Sequence, residues 1–212
     1  MPHVVLLGDS VFDNGAYVHG GPDVVRQLRR LLPHEWKATL CAVDGASIAD
    51  VPHQLARIPA GATHLVLSVG GNDALGHVDV LERRASSWRE VLDGLADMGA
   101  RFERRYRDLL LQVLARDLPV VLCTIYFPRF PDADVQRRAS TALATFNDAI
   151  LRTAFERGLP VIDLRLVCTD DVDYANPIEP SERGGEKIAR AIKRATVGRE
   201  PVSRRASEIV IA

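Results

Sequence analysis

A chain of 212 residues with 47% hydrophobic content is long enough to bury one substantial core as a single domain. Its 27 basic and 28 acidic residues are evenly mixed, and the formal charge of −1 gives no field to recruit nucleic acid or an anionic membrane. Met1-Pro2-His3 leads straight into an apolar run with no charged leader before it, and no apolar stretch approaches the roughly 18 residues of a membrane span, so a cytoplasmic protein without integral membrane association is expected.

In chain order, Val4-Val5-Leu6-Leu7 reads as a buried strand, and Gly8-Asp9-Ser10 follows where the chain turns toward Asn14-Gly15. Pro22-Asp23 opens a helix whose Val24, Val25, Leu28, Leu31 and Leu32 recur at spacings of three and four until Pro33. Lys37 to Val43 forms the second strand, closed by Asp44-Gly45. A short helix follows over about 48–58, and the third strand, His64 to Val69, is closed by Gly70-Gly71-Asn72-Asp73. The polar stretch from Gly76 to Met98 shows no clear period. Phe102, Tyr106, Leu109, Leu110, Val113 and Leu114 then make one stripe of a helix from Ala100 to Arg116, and Pro119 to Cys123 reads as strand four.

Two prolines and two phenylalanines between Tyr126 and Asp132 make a rigid loop placed to line a pocket. A helix from Ala133 to about Arg157, a short fifth strand over Leu159 to Ile162, and a last helix from about Glu182 to Ala195 complete one domain over 1–197. The remaining 198–212, polar and basic at Arg199, Arg204 and Arg205 before an apolar end, reads as a flexible or docking tail. Short strands alternating with longer helices specify an α/β fold, a parallel sheet covered on both faces. Open sheets of this kind bind ligands at the carboxyl ends of their strands, where Ser10, Gly45 and Asn72 all fall.

Those three motifs, in that order, resemble the first three blocks of the SGNH, or GDSL, hydrolase family, and the similarity spans nearly the whole chain. The resemblance implies a three-layer α/β/α, flavodoxin-like fold with about five parallel strands, and cleavage of esters or thioesters without a cofactor. It implies Ser10 as nucleophile and an oxyanion hole from the Ser10 N–H, the Gly45 N–H and the Asn72 side-chain amide. The chemistry agrees with those assignments. A serine hydroxyl needs a base to take its proton, and the oxyanion that follows needs preorganised N–H donors.

The fourth block departs from the family, which has Asp-x-x-His-Pro followed by a glycine and an apolar-Ala pair. Pro180, Ser181, Gly184, Ile188 and Ala189 keep that frame, but Glu179 fills the histidine slot and Asn176 the aspartate slot. Three accounts stay open. Glu179 takes the Ser10 proton, its pKa raised by burial, with Asn176 orienting it without adding a like charge. A relocated His77 or His19, both on loops at the reactive edge, serves instead. Or no base exists and the protein is a catalytically inactive ligand binder on the same scaffold. The expected partner is a small-molecule ester, whether lipid, acetylated sugar, aryl ester or thioester, and the sequence leaves the oligomeric state open.

Asp9 and Asp73 read as turn-stabilising and capping groups, and Asp163 as a distant orienter. No glycine-rich phosphate loop follows a strand and no His/Cys spacing suggests zinc, so no cofactor and no metal is expected. Cys41, Cys123 and Cys168 read as reduced, buried thiols.

Overall fold

A computed structural model describes residues 1–198 and 208–211. Strands β1 (His3–Gly8), β2 (Lys37–Leu40), β3 (His64–Ser68), β4 (Val120–Cys123) and β5 (Val161–Ile162) lie in one sheet. All pair in parallel, in the order β2-β1-β3-β4-β5, with a further edge strand beyond β5. The order reverses between β1 and β3, which places the ligand crevice of a doubly wound sheet beside the ends of those two strands. Ser10 and Asn72 lie just past them.

The period of two along β1 builds the layers. Val4 and Leu6 face a core shared with helices α1 (Val24–Leu31) and α7 (Glu182–Thr196), while Val5 and Leu7 face the core under α2 (Val51–Leu55), α4 (Trp88–Leu114) and α5 (Ala133–Glu156). Burial on both faces is why β1 reads as a continuous apolar run. Two short helices, α3 (Gly71–Leu75) and α6 (Leu164–Val167), follow β3 and β5.

Three boundaries differ from the sequence reading. Strand β2 stops at Leu40, because Cys41 to Val43 swing away toward the β1 turn, with Ala42 N–H bonded to Leu6 and Val43 N–H to Gly8. Helix α4 begins at Trp88, twelve residues before Ala100, capped by the Ser87 hydroxyl on Glu90 N–H at 3.2 Å. Its first turns stand largely in solvent and leave no buried stripe to read. A small hairpin, β6 (Tyr174–Asn176) with β7 (Glu179–Pro180), lies off the main sheet and is too short for any periodicity. Finally, of the two alternatives read for the tail, its described part docks: Ile209–Val210 form β8, the sixth strand, parallel to β5 with Val210 buried. The basic stretch with Arg199, Arg204 and Arg205 lies outside the described residues. Among the described residues, no helix is long and apolar enough to cross a membrane, and the three cysteines are free and buried.

Candidate active site

The turn after β1 is forced by packing. Gly8 has φ +128°, and a Cβ there would stand 1.7 Å from the Ser68 carbonyl of β3, so only glycine lets the two strand ends close up. The buried Gln54 amide bridges both polar groups of Gly8, accepting from its N–H and donating to its C=O at 2.7 Å each. Asp9 is turned inward, accepts the Val11 N–H at 3.1 Å, and leaves Ser10 facing the crevice.

After β3, Asn72 and Asp73 reach across to the loop that follows β2. Asn72 Nδ2 donates to the Ala46 carbonyl at 2.9 Å, and Asp73 accepts the Ile48 N–H at 2.9 Å while pairing with Arg105 at 3.1 Å. Asp73 therefore holds a neighbouring loop and an α4 arginine, beyond the capping part read from its position. Gly45 sits on the loop so held, exposed and at φ +77°, in the left-handed region open to glycine. It borders a shallow depression of its own with Ala46 and does not line the main crevice. Neither the Ser10 N–H nor the Gly45 N–H donates to another described residue.

The crevice encloses about 950 Å³, part of it open to solvent. Ser10, Asn72, His77 and Glu179 all border it, and Leu75, Val80, Met98, Ile125, Leu143 and Phe146 make much of its wall apolar. Glu179 is 7% exposed. Burial pushes its carboxyl up to about 7, Asp44 adds to the rise, and the Ser10 hydroxyl beside it favours the charged form. The second carboxylate oxygen, Oε2, is buried with no hydrogen-bond partner. Asp9 is likewise raised to about 7, first by burial and then by Glu179 and Asp73. Two buried carboxyl groups thus border one crevice, and neither ionises as readily as it would in water.

Asn176 makes a different contact from the one its position suggests. Its Oδ1 accepts the N–H groups of Ile178 and Glu179, both at 3.0 Å, so it holds main chain and leaves the carboxylate alone. Of the two candidate histidines, His77 borders the crevice with its ring 6.4 Å from that of Phe146. His19 is exposed at φ +44° and lies outside the crevice wall. Asp163 is engaged elsewhere, with Thr124 and Arg165 at the start of α6.

Several residues that position the site carry no motif. Gln54, Asn14 and Asn147 are buried amides, each holding backbone from another element: Gly8, then Val24 and Pro180, then both polar groups of Ile125. Tyr126 is buried and donates to the Ile178 carbonyl at 2.6 Å. Polar side chains inside otherwise apolar segments were the only available signal for them. Among the described residues, no group of side chains is arranged to hold a metal ion.

The chain matches the GDSL-like lipase/acylhydrolase family over residues 6–187. Among solved structures it is similar to the lipase Lip_vut3 from a goat rumen metagenome, at 20% identity and a TM-score of 0.71, with 94% of this chain and 99% of that one covered. It is similar to phospholipase A1 of Streptomyces albidoflavus NA297, at 16% identity and 0.67, over 92% and 99%. It is also similar to the extracellular lipase of Streptomyces rimosus, at 19% and 0.62, over 92% and 100%. At these identities the likeness establishes the fold. No curated protein matches.

Proposed function

The chain belongs to the GDSL-like lipase/acylhydrolase family and is an ester hydrolase of it, and from that premise we propose that it works through Ser10 with Glu179 as base. What supports this is that Ser10 and the buried carboxyl group of Glu179 border the same largely apolar crevice, with the Ser10 hydroxyl near enough to favour the charged carboxylate. At its ordinary value a carboxylate is a feeble base. Raised to about 7, Glu179 is matched to proton transfer near neutral pH.

In this reading Ser10 Oγ attacks the ester carbonyl as its proton passes to Glu179. The oxyanion is received by the Ser10 and Gly45 N–H groups and by the Asn72 Nδ2 hydrogen not spent on Ala46. The tetrahedral adduct collapses, the alcohol leaves with the proton from Glu179, and an acyl-enzyme remains. Water then attacks that ester with Glu179 again taking the proton, which passes on to Ser10 Oγ as the acyl bond breaks and the free acid departs. The apolar wall of Leu75, Val80, Met98 and Phe146 favours an acyl group longer than acetyl.

The test is the turnover of p-nitrophenyl esters of rising chain length. Wild type should release a burst of p-nitrophenol that vanishes in Ser10→Ala, and kcat/KM should climb with pH through about 7. Glu179→Gln should lower kcat by roughly 10²–10⁴. An undiminished rate in Glu179→Gln would refute the carboxylate as base and direct attention to His77.

A further inference from the structure

In a serine, histidine and carboxylate triad, the third group aims the base by bonding its far side. Glu179 has no such partner: among the described residues no third side chain bonds its carboxylate, and Oε2 is buried and unbonded. Its aim must come from the main chain that carries it. That main chain is gripped on both sides of one peptide unit, the one joining Ile178 to Glu179. Its oxygen accepts from the Tyr126 hydroxyl at 2.6 Å, and its N–H donates to Asn176 Oδ1 at 3.0 Å. The Pro180 carbonyl accepts from Asn14 Nδ2 at 3.2 Å, which ties the same turn to the loop after Ser10.

Tyr126 is itself locked. Its ring meets Tyr174 edge-on at 5.4 Å, and the Tyr174 hydroxyl bonds the Phe127 and Cys168 carbonyls at 2.8 and 3.0 Å. Three residues beyond Tyr126, Arg129 N–H donates to the Pro177 carbonyl at 2.7 Å, and its guanidinium bonds the Thr169 carbonyl. The proline-bearing loop after β4 and the Glu179 turn are thus joined along their length.

We propose that Tyr126 is a positioning residue which, with Asn176, fixes the peptide ahead of Glu179 and so aims its carboxylate at Ser10, doing from the backbone side what a triad acid does from the side-chain side. The inference rests on Glu179 being the base. Its physical basis is leverage: a glutamate has three side-chain torsions beyond Cα, so a small rotation of the preceding peptide moves the carboxylate by a large fraction of an ångström. Misplacement by about 1 Å can cost on the order of 100-fold in rate.

Tyr126→Phe removes the hydroxyl and keeps the ring that lines the crevice. The expected result with a p-nitrophenyl ester is a fall in kcat of about 10-fold or more with KM within about 2-fold. The acidic limb of the pH profile should also move below its wild-type position as Glu179 gains water. Asn176→Ala should act in the same direction, and Asn176→Asp, which keeps an oxygen for both amides, should recover most of the rate above the acidic limb, its added charge moving that limb up and not down. A purely structural clamp would lower Tm and leave kcat and the pH limb in place, and that result overturns the proposal. Should Tyr126→Phe fail to fold, the Asn176 pair decides: Asn176→Ala with wild-type kcat and pH limb overturns it equally. Glu179→Gln, measured alongside, separates the two failures. If that variant is inactive while Tyr126→Phe behaves as wild type, only the positioning role falls; if it is fully active, the base assignment falls with it.

Discussion

The two halves of the site are built in different ways. In the proposed site, Ser10 and Asn72 follow closely on the ends of two neighbouring parallel strands whose ladder fixes where they arrive, while Gly45 sits on the loop past β2 that Asn72 and Asp73 hold. The half with Glu179 hangs on a two-stranded hairpin off the sheet and is held by side chains sent from residues 14, 126 and 176. The difference is one of tolerance. Strand register admits no substitute for a glycine at a crowded strand end, whereas a turn clamped by its own main chain can present a carboxylate in a slot where the family frame has an imidazole.

Gly8→Ala would strike the first half hardest. The added Cβ meets strand backbone at 1.7 Å and φ +128° disfavours any L side chain, so the expected outcome is loss of folded protein, read by circular dichroism and thermal melting. Gly45→Ala is its control. Nothing lies within 4 Å of a Cβ there, so the variant should fold with a penalty of about 1–2 kcal/mol for the left-handed backbone alone. Equal damage from the two would mean that conformation outweighs crowding at the strand ends. Asn72→Ala comes next. Losing one oxyanion donor should lower kcat about 10²–10³-fold with the fold retained, and a loss under about 5-fold would remove Asn72 from the hole.

The same contrast explains what the sequence could reveal. Ser10, Gly45 and Asn72 are legible because each follows an apolar run with a recognisable end, and because a sheet of this kind gathers strand ends at one edge. The layering of α1 and α7 against α2, α4 and α5 is legible for a related reason, as β1 and the helix stripes carry period. The β6–β7 hairpin is not, since strands of two or three residues have none. Asn176 is legible from its slot, though it holds main chain and not the carboxylate, and Tyr126 is hidden more deeply. The hydroxyl of Tyr126 acts on a carbonyl 52 residues away, and no local pattern encodes that meeting. The exposed start of α4 and the return of Ile209–Val210 to the sheet edge share the difficulty, being set by caps and partners distant in the chain.

The smallest effect expected is on stability, and it has the opposite sign to the effect on rate. Glu179 and Asp9 both stand near 7 in the folded protein, chiefly through burial, against ordinary values of 4.5 and 3.8. The folded chain therefore binds more protons than the unfolded chain between about pH 4 and 7. Stability is full below that window and declines as pH rises through it. Glu179→Gln removes one of the two titrations and leaves a neutral amide where a charge had to be buried. Its Tm should lie close to that of wild type near pH 4 and exceed it by several degrees at pH 8, at about 2–4 °C per kcal/mol for a chain of this size. Differential scanning calorimetry across that range reads the crossover directly. A variant no more stable than wild type at pH 8 would mean that the carboxylate ionises in place without cost, and a well-solvated carboxylate has no reason to be a strong base. If the gain appears in the variant that has lost activity, the fold is giving up stability at the same residue that takes the proton, in the turn held by Tyr126 and Asn176.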